Sequence, residues 1–133
     1  MNIRQTNKLI RQLLAETDLK MPGYRNRAER VSVYSVAIAQ KLGLNIDALV
    51  SIRVLAEVGA LPNLSTELLE LRASDDLSKT IVRLASTFDE IRMNNGPEGS
   101  AESWLSIEAE KEYAVDLVNA LKSVQGIIQP IGS

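Results

Sequence analysis

The chain has 133 residues, a formal net charge of −2 and 45% hydrophobic residues, which is long enough to bury one core and too apolar for a disordered segment. It contains no histidine and no cysteine, which excludes disulfides, zinc–thiolate sites, thiolate nucleophiles and any mechanism built on imidazole. The charge is uneven: residues 1–30 carry seven basic side chains against three acidic ones, a surplus of +4 that leaves the remainder at −6, so the N-terminal third suits an acidic or phosphate-bearing partner, or the acidic rest of its own domain.

Ile3, Leu9, Ile10, Leu13 and Leu14 recur near the i, i+3, i+4, i+7 spacing of an amphipathic helix and predict one over residues 2–17. Met21-Pro22-Gly23 interrupts it, because proline lacks an N–H donor and glycine frees the backbone. A second helix is predicted over 24–42, with Val31, Tyr34, Ala37, Ile38 and Leu42 on its apolar side and Gly43 as a left-handed C-terminal cap. Asn45 is the N-cap of a third helix over 46–58. Leu49, Ile52, Val54, Leu55 and Val58 make that helix apolar over much of its circumference, so it is expected to be central. Gly59 to Pro62 ends it, and Ser65-Thr66-Glu67 starts a short helix to Leu71 with Glu67 at the positive end of the dipole.

Asp75-Asp76-Leu77-Ser78 forms a polar cap for a helix over 77–91 that carries Ile81, Leu84, Ala85, Phe88 and Ile91 on one side. Residues 93–101 are a loop by composition, since Asn-Asn-Gly-Pro continues a helix only at a cost. A last helix is predicted over 107–124 with Tyr113, Leu117, Val118 and Leu121, followed by an irregular tail over 125–133 with Gly126, Pro130 and Gly132. There is no internal repeat, sustained heptad or strand-like alternation. The expected architecture is all-α: a compact single-domain bundle of about six helices over 1–133, with an N-terminal helix and break over 1–22, a core over 24–124, and the tail.

Arg27-Ala-Glu-Arg-Val-Ser-Val-Tyr-Ser-Val-Ala-Ile-Ala-Gln-Lys-Leu-Gly-Leu44 resembles the opening helix of an HD or HD-GYP phosphohydrolase, in which a metal-binding His is followed, two residues on, by Arg-Val and later by Leu-Gly-Leu. Arg30-Val31 and Leu42-Gly43-Leu44 agree, while Arg27 stands for the His. Residues 49–63 are similar to the family helix that ends in His-Asp-Ile-Gly-Lys. The ungapped register puts Gly59 and Ala60 on the His-Asp pair and Asn63 on the Lys, and a register anchored on Gly59 puts Ala56 and Glu57 there instead. Residues 81–91 resemble the helix with Ala-Asp-x-Phe-Asp-Ala-Leu, where Phe88-Asp89 agree and Ser86 replaces the metal-binding Asp. The stretch from Leu71 to Thr80 is too short for the family's His-His-Glu segment and Gly-Tyr-Pro loop. The resemblance therefore implies an HD-like fold with relic metal positions Arg27, Gly59, Ala60 and Ser86, no catalytic residues, no metal and no cofactor, because hydroxide formation in such enzymes depends on two or three bound metal ions.

Phe88 and Asp89 are expected to be structural, the first as a buried ring and the second as a carboxylate paired to a neighbouring helix. Arg25, Arg27 and Arg30 are candidates for holding a phosphate or other ligand in the relic site, against the plainer expectation that Arg30 makes a structural ion pair and Arg25 and Arg27 lie on the surface. Trp104 is expected to anchor the preceding loop to the core, with a partner surface as the other option. Glu108, Glu110 and Glu112 with Lys111 form a solvated stretch. No Walker loop or glycine-rich phosphate cradle is present.

The expected function is a catalytically inactive regulatory module of bacterial signalling, not an enzyme, that works by contact with a protein partner, with a homodimer through the first helix as one form. The alternatives are a phosphate- or nucleotide-sensing domain using Arg27, and nucleic-acid binding through the basic first helix, which the net acidic charge disfavours. No apolar run reaches the roughly 18 residues that span a bilayer, and residues 1–8 lack the apolar core of a secretory leader, so no membrane contact and a cytoplasmic location are expected.

Overall fold

In the computed structural model residues 3–62, 64–94 and 100–128 are described. Among them are seven α-helices: α1 (Ile3–Lys20), α2 (Tyr24–Lys41), α3 (Ile46–Val58), α4 (Thr66–Leu71), α5 (Asp76–Asn94), α6 (Ser100–Ile107) and α7 (Val115–Val124). Short 3-10 segments lie at Ala109–Lys111 and Gln125–Ile127, and no strand occurs among the described residues.

Local side-chain chemistry sets most of the boundaries. Gly23, at φ 92°, turns the chain between α1 and α2, and the Arg25 backbone N–H donates to Asp18 Oδ1 across the turn at 3.1 Å. α2 ends in a Schellman cap: Gly43 takes φ 81°, its N–H reaches the Gln40 carbonyl, and the Leu44 N–H reaches the Ala39 carbonyl. Asn45 Oδ1 accepts from the Ala48 N–H at 2.9 Å, Ser65 Oγ from Leu68 at 3.3 Å, and Asp75 Oδ2 from Ser78 at 2.9 Å, so α3, α4 and α5 each begin on a side-chain cap. The hydrogen bond from Ser78 holds the Asp75 carboxyl below its usual pKa.

The helices close around two apolar clusters. Ile10 and Leu14 of α1 meet Ala28, Val54, Val58 and Leu68 in the smaller one. The larger joins Val31, Tyr34 and Ile38 of α2 to Ile52, Ile81, Leu84, Phe88, Leu105, Leu117, Val118 and Leu121. α2 and α3 both contribute to the two clusters, α2 with eight buried positions and α3 with four. α3 packs against α1, α2, α4 and α5, as expected of a central helix, and α2 shares that place for a packing reason. Ala28, Ser32, Ser35, Ala37 and Ala39 are small enough to let neighbours approach α2 from several sides, whereas α3 leaves Ile46 exposed and Leu49 and Leu55 half-buried.

The C-terminal third departs most from expectation. Met93 and Asn94 still belong to α5, and Ser100 and Ala101 already belong to α6; residues 95–99 of the predicted loop lie outside the described residues. α6 falls where the sequence predicts no helix, although Ala101, Leu105 and Ala109 are buried at intervals of four. The helix predicted over 107–124 is intact only from Val115, because Ala114 is extended at ψ 144°. That break lets Tyr113 turn inward against Trp104, with ring centroids 6.3 Å apart and planes 75° apart. Trp104 itself is half-buried against the larger cluster. Of the predicted tail, Gln125–Ile127 is a 3-10 segment, and Pro130 and Gly132 lie outside the described residues. No helix of the described residues is long and apolar enough to cross a membrane.

Candidate functional site

α2 and α5 run side by side in the same direction, in a register marked by three polar pairs. Arg27 Nη2 donates to Ser86 Oγ at 2.6 Å. One turn further along both helices, Arg30 grips Asp89 with two bonds, Nε to Oδ1 at 2.7 Å and Nη2 to Oδ2 at 3.2 Å. A turn beyond that, Arg92 Nη1 donates to Tyr34 Oη at 2.7 Å and to the Gln125 carbonyl at 2.8 Å. The ladder passes from solvent into the core: Arg27 is exposed, Arg30 is 24% exposed over an Asp89 that is 3% exposed, and Arg92 is buried. Two-pronged guanidinium–carboxylate geometry is the strong form of such a pair.

Of the candidate residues, Arg27 and Ser86 are thus in direct contact, and Phe88 and Asp89 are buried on the same helix. The three arginines of α2 do not form one cluster. Arg25 pairs with Glu29 on the exposed flank at 3.2 Å, Arg27 bonds Ser86, and Arg30 bonds Asp89. Gly59 and the exposed Ala60 lie past the end of α3, where Arg72 Nη1 donates to the Gly59 carbonyl at 2.8 Å. The α3 residue that borders the same hollow as Ser86 is Leu55, one turn earlier. Asn63 lies outside the described residues. A second open hollow, of about 570 Å³, lies at the Arg27 end of the ladder between the Met21–Tyr24 turn and Asp89, Glu90 and Met93 of α5.

Glu57, from the alternative register, turns toward α1. Arg53 Nε donates to its carboxylate at 3.3 Å and Arg53 Nη1 to the Asn7 side chain, while Tyr24 Oη donates to the Glu57 backbone carbonyl at 3.2 Å. Burial pushes the Glu57 carboxyl above its usual pKa, and Arg53 and Ser32 only partly oppose this. The folded chain therefore holds that proton more tightly than the unfolded chain. This group favours folding as pH falls from the raised value toward the ordinary glutamate range, and the gain is absent once it ionises. Glu57→Gln keeps an acceptor for Arg53. The variant is expected to match wild type near about pH 4 and to be the more stable near about pH 7. Urea melts across that range test it, and a pH-independent difference would contradict the assignment.

Two basic residues at the site escaped the sequence reading. Lys79 and Arg83 border the hollow that holds Leu55, Val82, Ser86 and Thr87, about 290 Å³ in volume. The signal was present, since positions 79, 83 and 86 share a helical face at i, i+4, i+7. Arg83 is fixed by Tyr113, with Cζ 5.3 Å from the ring centroid and Nε donating to Oη at 3.3 Å.

The donor set does not fit the metal cluster that the family resemblance brings with it. A fixed guanidinium and a neutral hydroxyl occupy the α2–α5 contact, and among the described residues no group of three or more acidic side chains is placed to hold a metal ion. What the arrangement offers chemically is hydrogen-bond donation to an anion, from Arg27, Lys79, Arg83 and the Ser86 hydroxyl, over an apolar floor of Leu55 and Val82. The chain matches no protein-family model, no curated protein and no solved structure.

Proposed function

We propose that the chain is a degenerate HD-like domain that performs no hydrolysis and acts as a regulatory module by binding another protein, in the bacterial signalling setting that the resemblance implies. The observation that carries this reading is the Arg27–Ser86 bond. By the resemblance these two positions hold a metal-binding His and Asp. Here they are replaced by a cation and a hydroxyl that satisfy each other. A dication would meet a fixed positive charge there, and no hydroxide nucleophile can be generated without it.

The test is hydrolysis of a chromogenic phosphodiester and of a cyclic dinucleotide by the purified chain with Mn²⁺ or Mg²⁺, alongside thermal melts with the same ions. The expected result is turnover no faster than buffer and an unchanged Tm. Turnover abolished by a chelator, or a metal-dependent rise in Tm, would overturn the reading.

A specific observation also favours a second reading, a phosphate- or nucleotide-sensing domain. Lys79 and Arg83 flank Ser86, the hollow they share has no acidic side chain in its lining, and Arg27 reaches the same hydroxyl. Arginine and lysine so placed hold a phosphate without cleaving it. On this reading pyrophosphate or a nucleotide raises Tm in the absence of metal, and Lys79→Ala removes the rise.

A further inference from the structure

Seven of the nine arginines donate to another part of the chain: Arg25 to Glu29, Arg27 to Ser86, Arg30 to Asp89, Arg53 to Glu57, Arg72 to Gly59, Arg83 to Tyr113 and Arg92 to Tyr34. Arg4 and Arg11 are the two that have no partner among the described residues, and both lie on α1. With Lys8 they occupy positions i, i+4 and i+7, and all three are exposed.

Within the isolated chain this arrangement is unfavourable on two counts. Like charges three and four residues apart on a helix repel, and cations near a helix N-terminus oppose the dipole. Of the two acids of α1, Glu16 lies off the stripe and Asp18 continues it at i+7 from Arg11, where its Oδ1 accepts the Arg25 backbone N–H.

The stripe also has shape. A hollow of about 600 Å³ runs along Arg4, Asn7, Lys8, Arg11 and Gln12. Lys8 and Gln12 also line a neighbouring hollow of about 530 Å³, where the half-buried Leu9 meets Ser65 and Glu67 at the start of α4.

We propose that this face of α1 is the docking surface for an acidic helical segment of a partner protein, an inference that rests on the regulatory reading above and names the chemistry of its partner. Carboxylates at i, i+4 and i+7 on such a segment match the repeat of Arg4, Lys8 and Arg11. The amides of Asn7 and Gln12 serve the polar rim. A protein segment fits better than a nucleic acid. Residues 31–133 carry −6, so a long polyphosphate is repelled wherever it runs past the stripe, whereas a short helix meets only the stripe.

The experiment is fluorescence anisotropy with the full chain and a labelled helical peptide bearing glutamates at i, i+4 and i+7. The same peptide with glutamines and a single-stranded oligonucleotide serve as comparisons. The expected result is salt-sensitive binding of the glutamate peptide alone, weakened at least about tenfold by combined Arg4→Glu, Lys8→Glu and Arg11→Glu, with the charge-swapped chain now binding a lysine version of the peptide. These side chains are exposed and glutamates near a helix N-terminus favour the dipole, so the variant melts no lower than wild type. Equal binding of glutamate and glutamine peptides, no binding of either, or tighter binding of the oligonucleotide would each overturn the proposal. The two readings fail separately: peptide binding bears on α1 alone, and metal-dependent hydrolysis bears on Arg27 and Ser86 alone.

Discussion

Arg30→Met is expected to destabilise the protein by about 3–5 kcal/mol, lowering Tm by roughly 10–20 °C for a chain of this size. Asp89→Asn is expected to cost less, about 1–2 kcal/mol. The asymmetry follows from burial. Asp89 is 3% exposed, so losing Arg30 strands a carboxylate with little access to water. Arg30 is 24% exposed and can hydrate, and an asparagine still accepts a bond from its Nε. The paired replacement Arg30→Met with Asp89→Leu should recover most of the loss, because a buried ion pair contributes less than the cost of breaking it suggests. Urea melts at constant m-value measure all three. If Asp89→Asn proved the more damaging change, the pair would be supported chiefly from the Arg30 side and the burial argument would be wrong.

The legible parts of the fold were those set by adjacent residues. α2, α3 and α4 start and stop within a residue of expectation because Asn45, Ser65 and Gly43 act on their own neighbours in the chain. α6 is hidden because it is only eight residues long and its fully buried residues are Ala101 and Leu105. In addition, Ile107, the first residue of the predicted last helix, is 63% exposed and ends α6 instead. That α2 shares the centre with α3 is hidden for a related reason: its buried positions include Ala28, Ser32, Ser35, Ala37 and Ala39, whose smallness gives no strong apolar signal.

At the site, Arg27, Arg30, Ser86, Phe88 and Asp89 were all singled out, yet their alignment was beyond any local rule. Arg27–Ser86 and Arg30–Asp89 are each 59 residues apart, and that shared offset exists only once α2 and α5 lie parallel. Arg92 was overlooked because an arginine near a helix C-terminus usually faces solvent and the dipole. Here it turns inward because the Tyr34 hydroxyl and the Gln125 carbonyl supply acceptors in the core.

Phe88→Ala is the second large effect, expected to cost about 3–5 kcal/mol, against about 1–2 kcal/mol for Phe88→Leu. The ring is fully buried and Tyr34 meets it edge-on, with centroids 5.3 Å apart and planes at 88°. Arg92 lies over it with Cζ 5.7 Å from the centroid. The aromatic pair and the cation contact each contribute on the order of 1 kcal/mol beyond area burial. Alanine removes both and leaves a cavity at the inner end of the polar ladder. Leucine fills part of the space and keeps Tyr34 and Arg92 near their places. Arg92 therefore loses part of its purpose in the alanine background, so Arg92→Met should cost less there than in wild type, and a double-mutant cycle in urea measures the coupling. Additive costs would mean that Arg92 is held by Tyr34, Gln125 and the Glu102 carboxylate 3.8 Å away, without help from the ring. Positive coupling would mean that Phe88 fixes the Arg92–Tyr34 rung, and through it the α2–α5 register on which the exposed Arg27–Ser86 contact depends.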